Sequence, residues 1–201
     1  MDAGIDSRAN LLCAILAGGH SRRMGRDKAL LKIDGKPVIL RLVDLVRPLT
    51  DQIVICANDA DAYAFLDLPV VPDIYGNQGP LAGLHAAMAR STHPVILLLA
   101  CDLPYLSLRL LSALVDAVEG YDAVVCQTSD GRKQPLCAVY RRSCLQALQA
   151  QLETGINEVR HLWSEPSLRI ACFRLADAGF SDRELLNLNS PEDLKEIRDP
   201  G

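Results

Sequence analysis

The amino-acid sequence predicts an α/β fold with three layers, built around a mostly parallel central sheet. Three observations carry this expectation. Short, continuously apolar runs recur along the chain and alternate with segments of helical periodicity. The first five apolar runs do not alternate with polar residues, so they read as strands buried on both faces. A glycine-rich, basic segment follows directly on the first of these runs, as it does where a strand delivers a ligand loop at its carboxyl end.

The elements follow in order. Residues 12–16 (L-C-A-I-L) form a buried strand that ends at Gly18-Gly19. Residues 37–49 carry Val38, Ile39, Leu42, Val43, Leu45 and Val46 at helical spacing, with Pro37 in the first turn. Residues 52–57 make a second strand, 59–66 a short helix, and 68–72 a brief third strand ending at Asp73. Gly79-Pro80 opens a helix over 81–90. Residues 93–101 (H-P-V-I-L-L-L-A-C) are the most hydrophobic strand. A helix over 107–119 has Ser107 as its N-cap. Strands at 122–127 and 136–140 follow, then helices at 142–152 and 157–164 and a strand at 168–174. Ser190-Pro-Glu-Asp193 starts a last helix with a capping-box-like pattern. The polar stretch 127–135 reads as an active-site loop or a surface turn. No repeat or linker is apparent, so residues 1–201 are expected to form one domain.

The chain has 201 residues and a net charge of −4. That length can bury a full core without disulfides or a structural metal, and the acidic balance argues against a broad phosphate-backbone footprint, hence against nucleic acid as partner. The longest apolar run stops at Asp102, well short of the roughly 20 residues that a membrane helix needs. The first apolar stretch is preceded by Asp2, Asp6 and Arg8, runs into Gly18-Gly19 and is followed by Arg22-Arg23, the reverse of a secretory signal, so a cytoplasmic protein is expected. Seven cysteines show no C-x-x-C spacing and mostly sit in apolar runs, which suggests reduced, packed thiols. The four histidines show no ligand spacing.

The segment most informative about chemistry is Leu16-Ala-Gly-Gly-His-Ser-Arg-Arg-Met-Gly-Arg-Asp-Lys28. Adjacent glycines let backbone N–H groups approach an anion closely, and Arg22, Arg23, Arg26 and Lys28 supply cations suited to phosphate. Neither the dinucleotide fingerprint G-x-G-x-x-G nor the P-loop pattern G-x-x-x-x-G-K-[ST] fits, which disfavours a dehydrogenase and a P-loop NTPase. A plain basic turn is the alternative. A second glycine segment, Asn77-Gln-Gly-Pro-Leu-Ala-Gly-Leu84, either presents a helix start to an anion or merely begins a helix, with Gly83 at a close-packing position. Asp102, at the end of the most apolar strand, suits Mg²⁺ shared with phosphate oxygens, or else caps the following turn. Asp73 and Asn58 end strands where they can meet a base or ribose, or act as turn residues. Asn187 and Asn189 either orient a ligand or organise the entry to the last helix. No Ser-His-Asp set or other covalent-catalysis motif is present.

The first loop resembles the signature of glycosyltransferase-A-like nucleotidyltransferases, which have a Rossmann-like architecture. More narrowly, the chain resembles the molybdenum cofactor guanylyltransferase family through Asp34-Gly-Lys-Pro-Val38, Val71-Pro-Asp73, Gly79-Pro-Leu-Ala-Gly-Leu84, Ala100-Cys-Asp-Leu-Pro-Tyr-Leu106, Asp130-Gly-Arg-Lys-Gln-Pro-Leu136 and Asn187-Leu-Asn-Ser-Pro-Glu-Asp-Leu194, which appear in family order. The resemblance implies an Mg²⁺-dependent transferase that moves GMP from GTP to the phosphate of molybdopterin and releases pyrophosphate. The backbone of Leu16, Ala17 and Gly18 would hold base and ribose. Lys28 would meet the phosphates, Asn58 and Asp73 the nucleotide, and Asp102 both nucleotide and Mg²⁺. Arg23 would stabilise charge on the transferring phosphate, so that Arg23, Lys28 and Asp102 form the catalytic set. Gln134 departs from the His that relatives often show before Pro-Leu. Partners implied are molybdenum-insertion or molybdoenzyme-maturation proteins. Transfer of another nucleotide, such as CMP, to molybdopterin or to a phosphorylated sugar or alcohol is the alternative. So is a non-catalytic nucleotide- or cofactor-binding protein.

Overall fold

A computed structural model describes residues 10–17, 27–76 and 78–188. Nine strands and four α-helices, named here in chain order, make up its main elements among these residues. They are β1 (Leu11–Leu16), β2 (Lys32–Ile33), β3 (Lys36–Pro37), α1 (Val38–Val46), β4 (Ile53–Cys56), β5 (Val70–Val71), α2 (Gly79–Ala89), β6 (Val95–Ala100), α3 (Leu108–Asp116), β7 (Ala123–Gln127), β8 (Lys133–Arg141), α4 (Leu145–Glu153) and β9 (Ile170–Arg174).

Seven of the strands form one sheet in the order β5-β4-β1-β6-β8-β7-β9. The neighbours are parallel except at β8, which runs against both β6 and β7. Side chains of β1 show why its run is continuously apolar. Leu11, Cys13 and Ile15 enter a core with α1 and α3, while Leu12 and Ala14 enter a second core with α2 and α4. Successive strand residues point to opposite faces, and here both faces are covered. The mostly parallel, three-layer expectation therefore holds. At roughly 25 cal/mol per Å² of apolar surface removed from water, these two cores are the main source of stability.

The helices differ in how they are buried. On α2 every residue from Leu81 to Met88 is buried, and its small residues let it lie close to β1 and β4. Gly83 is the tightest point: a Cβ there would come within 2.6 Å of Leu16 Cδ2 and 3.4 Å of Cys56 Cβ. The close-packing alternative for Gly83 is thus the one realised. On α3 the expected N-cap is present, with Ser107 Oγ accepting from the Leu110 N–H at 3.1 Å. Five cysteines are buried, Cys101 is partly buried and Cys172 is exposed, all as free thiols. Among the described residues, no helix is long and apolar enough to cross a membrane.

Several boundaries differ from expectation. Pro37 precedes α1 as its N-cap rather than occupying its first turn, because its ψ of 141° is extended. The segments expected as helices at 59–66 and 157–164 are 3-10 turns, Asp61–Leu66 and Val159–Ser164. Residues 133–135, read as loop, belong to β8. The β2–β3 hairpin was not anticipated, although Asp34-Gly35 is a strong hairpin signal. Both residues have positive φ, 50° and 80°, as a type I′ turn requires. The expected helix from Ser190 lies outside the described residues.

Candidate active site

The carboxyl ends of four parallel strands finish side by side. Leu16 pairs with Cys56 on one side and Ala100 on the other. The ladder continues past the strand ends: the Ala17 N–H donates to the Cys56 carbonyl at 3.0 Å, and the Cys101 N–H to the Leu16 carbonyl at 3.3 Å. The Ala57 N–H donates to the Val71 carbonyl at 3.1 Å. Asp73, Asn58, Ala17 and Asp102 thus leave neighbouring strands at one edge. The strand order reverses between β1 and β6, with β4 and β5 lying to one side of β1 and β6 to the other. Such switch points are where open α/β sheets leave a crevice for ligands.

Asn58 and Asp73 are locked to each other. Asn58 Nδ2 donates to Asp73 Oδ2 at 3.0 Å, and the Asp73 N–H donates to Asn58 Oδ1 at 2.9 Å. Both are therefore turn-organising residues, and they also stand beside the exit of β1, with Asp73 Oδ1 3.8 Å from the position a Cβ on Gly83 would take.

Lys28 begins a 3-10 turn, Lys28–Leu30, that Asp27 caps. Asp27 Oδ1 accepts from the Ala29 N–H at 3.0 Å, and its Oδ2 accepts from the hydroxyl of the buried Tyr63. Asp27 and Tyr63 were not singled out from the sequence. Asp27 could have been found as a cap before Lys-Ala-Leu, whereas Tyr63 comes from a distant element. The Lys28 ammonium donates to the Leu188 carbonyl at 2.8 Å, and the Leu188 N–H donates to the Asp102 carbonyl at 2.7 Å. The backbone of one residue, Leu188, therefore ties the Lys28 ammonium to the Asp102 main chain. Gln134 Nε2 donates to Asn187 Oδ1 at 3.1 Å, adding a strand-end residue to the same cluster.

The electrostatics fit an anion held with a cation. Burial pushes the Asp102 carboxyl above its ordinary range, and the nearby Lys28 charge opposes that shift. Cys101 is pushed up to about 12, first by burial and then by the Asp102 and Asp27 carboxylates, so it stays a thiol. Asp102 is a partly desolvated oxyanion at a strand end, the kind of donor that a divalent cation compensates. Among the described residues no three His, Cys, Asp or Glu side chains converge as a metal cluster. A cation at Asp102 would take its other oxygens from phosphate and water. Of the residues expected to bind nucleotide, Leu16, Ala17, Lys28, Asn58, Asp73 and Asp102 are brought to this one edge. Gly18 and Arg23 lie outside the described residues.

Fold and site together define a nucleotidyltransferase. Residues 13–169 match the MobA-like NTP transferase domain, and the chain belongs to that family. A relative from Carboxydothermus hydrogenoformans, described as a probable molybdenum cofactor guanylyltransferase, is 35% identical over 94% of this chain and 95% of its own. The molybdenum cofactor guanylyltransferase of Desulfosudis oleivorans is 32% identical over 90% of this chain and 91% of its own. The crystal structure of molybdopterin-guanine dinucleotide biosynthesis protein A from Archaeoglobus fulgidus superposes with a TM-score of 0.77 at 24% identity, covering 92% of this chain and 96% of that one. That likeness carries the fold.

Proposed function

We propose that the protein transfers GMP from GTP to the terminal phosphate of molybdopterin, acting in the cytoplasm during molybdenum cofactor biosynthesis. An acceptor phosphate oxygen bonds to the α-phosphorus of GTP, and the bond from that phosphorus to the bridging oxygen breaks. The bridging oxygen takes the electron pair, and pyrophosphate leaves. A phosphate nucleophile is already ionised near neutral pH, so the chain need supply no strong general base. Its task is to position the groups and to neutralise charge.

The single observation that carries this reading is the Lys28–Leu188–Asp102 bridge at the joined ends of β1 and β6. Lys28 reaches toward the phosphates as a point charge. Asp102 would hold a divalent ion such as Mg²⁺, which supplies charge neutralisation at the phosphates when bound. The exit of β1 at Leu16 and Ala17, with Asn58 and Asp73 beside it, is assigned to the nucleoside on the resemblance of its motif. Arg23, from the basic loop, is assigned to the transferring phosphate on the resemblance of its motif. Proteins that insert molybdenum or mature molybdoenzymes are the partners such a product calls for.

A thermal-shift panel of GTP, CTP, UTP and ATP with Mg²⁺ tests the base, because a ligand that binds the native state raises apparent stability. Selective stabilisation by GTP is expected, followed by pyrophosphate release once molybdopterin is added. Selective stabilisation by CTP would transfer the reading to a cytidylyltransferase. GTP binding with no pyrophosphate release in the presence of molybdopterin would make the protein a cofactor binder.

A further inference from the structure

The stretch that follows β9 crosses the carboxyl edge of the sheet and is fastened at successive points. The Leu175 N–H donates to the Gln127 carbonyl at 3.0 Å. Arg109 covers the Phe180 ring at 4.5 Å. The Ser129 N–H donates to Asp182 Oδ1 at 3.0 Å. Ser107 Oγ donates to Glu184 Oε2 at 2.7 Å, and Arg183 lies over Tyr105 at 4.7 Å. The described part of the run reaches Leu188, whose fully buried side chain packs with Ile33 and Val38. Its two polar backbone groups are both committed at the site, one to Lys28 and one to Asp102.

Gln134 is aimed at this run by an irregularity in β8. Along the β7–β8 ladder Val125 faces Ala138, but Cys126 faces Gln134 where an unbroken ladder would bring Cys137. A bulge re-aims the side chains beyond it. Lys133 lies over the Trp163 ring at 4.4 Å, while its neighbour Gln134 meets Asn187.

We propose that Asn187 and Leu188 form a strap that sets the separation of the Lys28 ammonium and the Asp102 carboxylate, and that Gln134 is the positioning residue that holds the strap in register. The inference rests on the nucleotidyltransferase reading and adds to it a specific coupling across the site. The backbone of Leu188 holds the Lys28 ammonium by its carbonyl and the Asp102 main-chain carbonyl by its N–H, so any slide of the strap along its own direction moves both residues. An ammonium has three donors, so Lys28 can keep the strap carbonyl and still reach phosphate. The Leu188 side chain blocks a large displacement. The Gln134–Asn187 hydrogen bond trims the remaining freedom.

The length of that hydrogen-bonded pair is the testable quantity. In Gln134→Asn the donor falls one methylene short. Adding Asn187→Gln returns the lost length from the other side. With the nucleoside triphosphate that supports turnover in the wild type, Q134N should lower kcat/KM about fivefold, the worth of one hydrogen bond. The loss should appear in both kcat and the triphosphate KM, with Tm lowered by no more than roughly 2–4 °C. The Leu188 amide should exchange its hydrogen about fivefold faster in Q134N. The Q134N/N187Q double variant should recover both the rate and the protection. Wild-type kinetics and Leu188 exchange in Q134N, or a loss that N187Q does not recover, would overturn the strap while leaving the nucleotidyltransferase reading in place. A wild type that releases no pyrophosphate with any of the four triphosphates would overturn that reading, and the strap's catalytic role with it.

Discussion

On one flank of the sheet, β5, β4, β1 and β6 run parallel and end level, and each delivers its site residue within a few positions of the strand end. On the other flank, β8 runs against its neighbours, β7 and β8 are joined by a hairpin turn, and the contribution to the site arrives through Gln134 and through Asn187 and Leu188 from the far end of the described chain. The first flank needs only strand ends to place Ala17, Asn58, Asp73 and Asp102. The second depends on hydrogen bonds between residues 53 or more positions apart. Placement by a ladder is rigid and cheap to encode. Placement by a long-range tie lets a few residues adjust the spacing of charges without disturbing the core.

The largest expected effect separates the two groups proposed to be catalytic, Asp102 and Lys28, from the scaffold that carries them. Asp102→Ala should lower pyrophosphate release in the presence of Mg²⁺ by on the order of a hundredfold or more, because it removes the carboxylate proposed to hold the cation at the phosphates. Far-UV circular dichroism should be unchanged. Retained turnover would remove Asp102 from the mechanism. Next comes Lys28→Met, which keeps the side-chain stem and removes the charge. A loss of about tenfold to a hundredfold in kcat/KM is expected, as befits one charge-assisted contact to phosphate. An unchanged triphosphate KM and kcat would show that Lys28 serves the strap alone.

A smaller effect tests the rigid flank itself. Gly83→Ala places a methyl against Leu16, and overpacking at about 1 kcal/mol would lower Tm by roughly 2–4 °C in a chain of this size. Nucleotide binding should weaken with it, since Leu16 ends the strand that feeds the site. Gly76→Ala is the control, because a Cβ there meets nothing within 4 Å. Equal Tm values for the two variants would show that α2 does not press on β1.

The smallest effect is on stability against pH. The folded-state pKa of Asp102 is raised by burial, so between the ordinary aspartate value and that raised value the native state binds more protons than the unfolded chain. Stability therefore falls as pH rises through this window. Asp102→Asn removes the titration, so its Tm should exceed that of the wild type above the window and match it below. A constant Tm difference from pH 3 to pH 7 would show that burial at Asp102 does not affect folding. Such a gain on losing a site residue is the expected signature of a carboxylate kept for function at some cost in stability.

The parallel flank was legible because its signals are local. The continuously apolar runs of β1 and β6, a serine capping α3 and an aspartate just past β6 each follow from the physics of a few adjacent residues. The β2–β3 hairpin was legible in principle from Asp34-Gly35 and is short enough to escape a search for longer runs. The reversal of β8 was not legible. Residues 127–135 are polar enough to read as loop, and only the pairing of Lys133 and Gln134 with β7 makes strand of part of them.

Taken by itself, the sequence determined the alternation of elements, the two-faced burial of the sheet and the identity of Lys28 and Asp102 as groups suited to phosphate and a cation, because periodicity, charge and residue chemistry act over short stretches of chain. Only the tertiary structure decided that Lys28 and the Asp102 main chain both hydrogen-bond to the backbone of Leu188, that Asp27 is held by Tyr63, and that Gln134 meets Asn187. Those contacts join segments with no pattern in common, and their partners become neighbours only after the strands have paired and the chain has returned across the edge of the sheet.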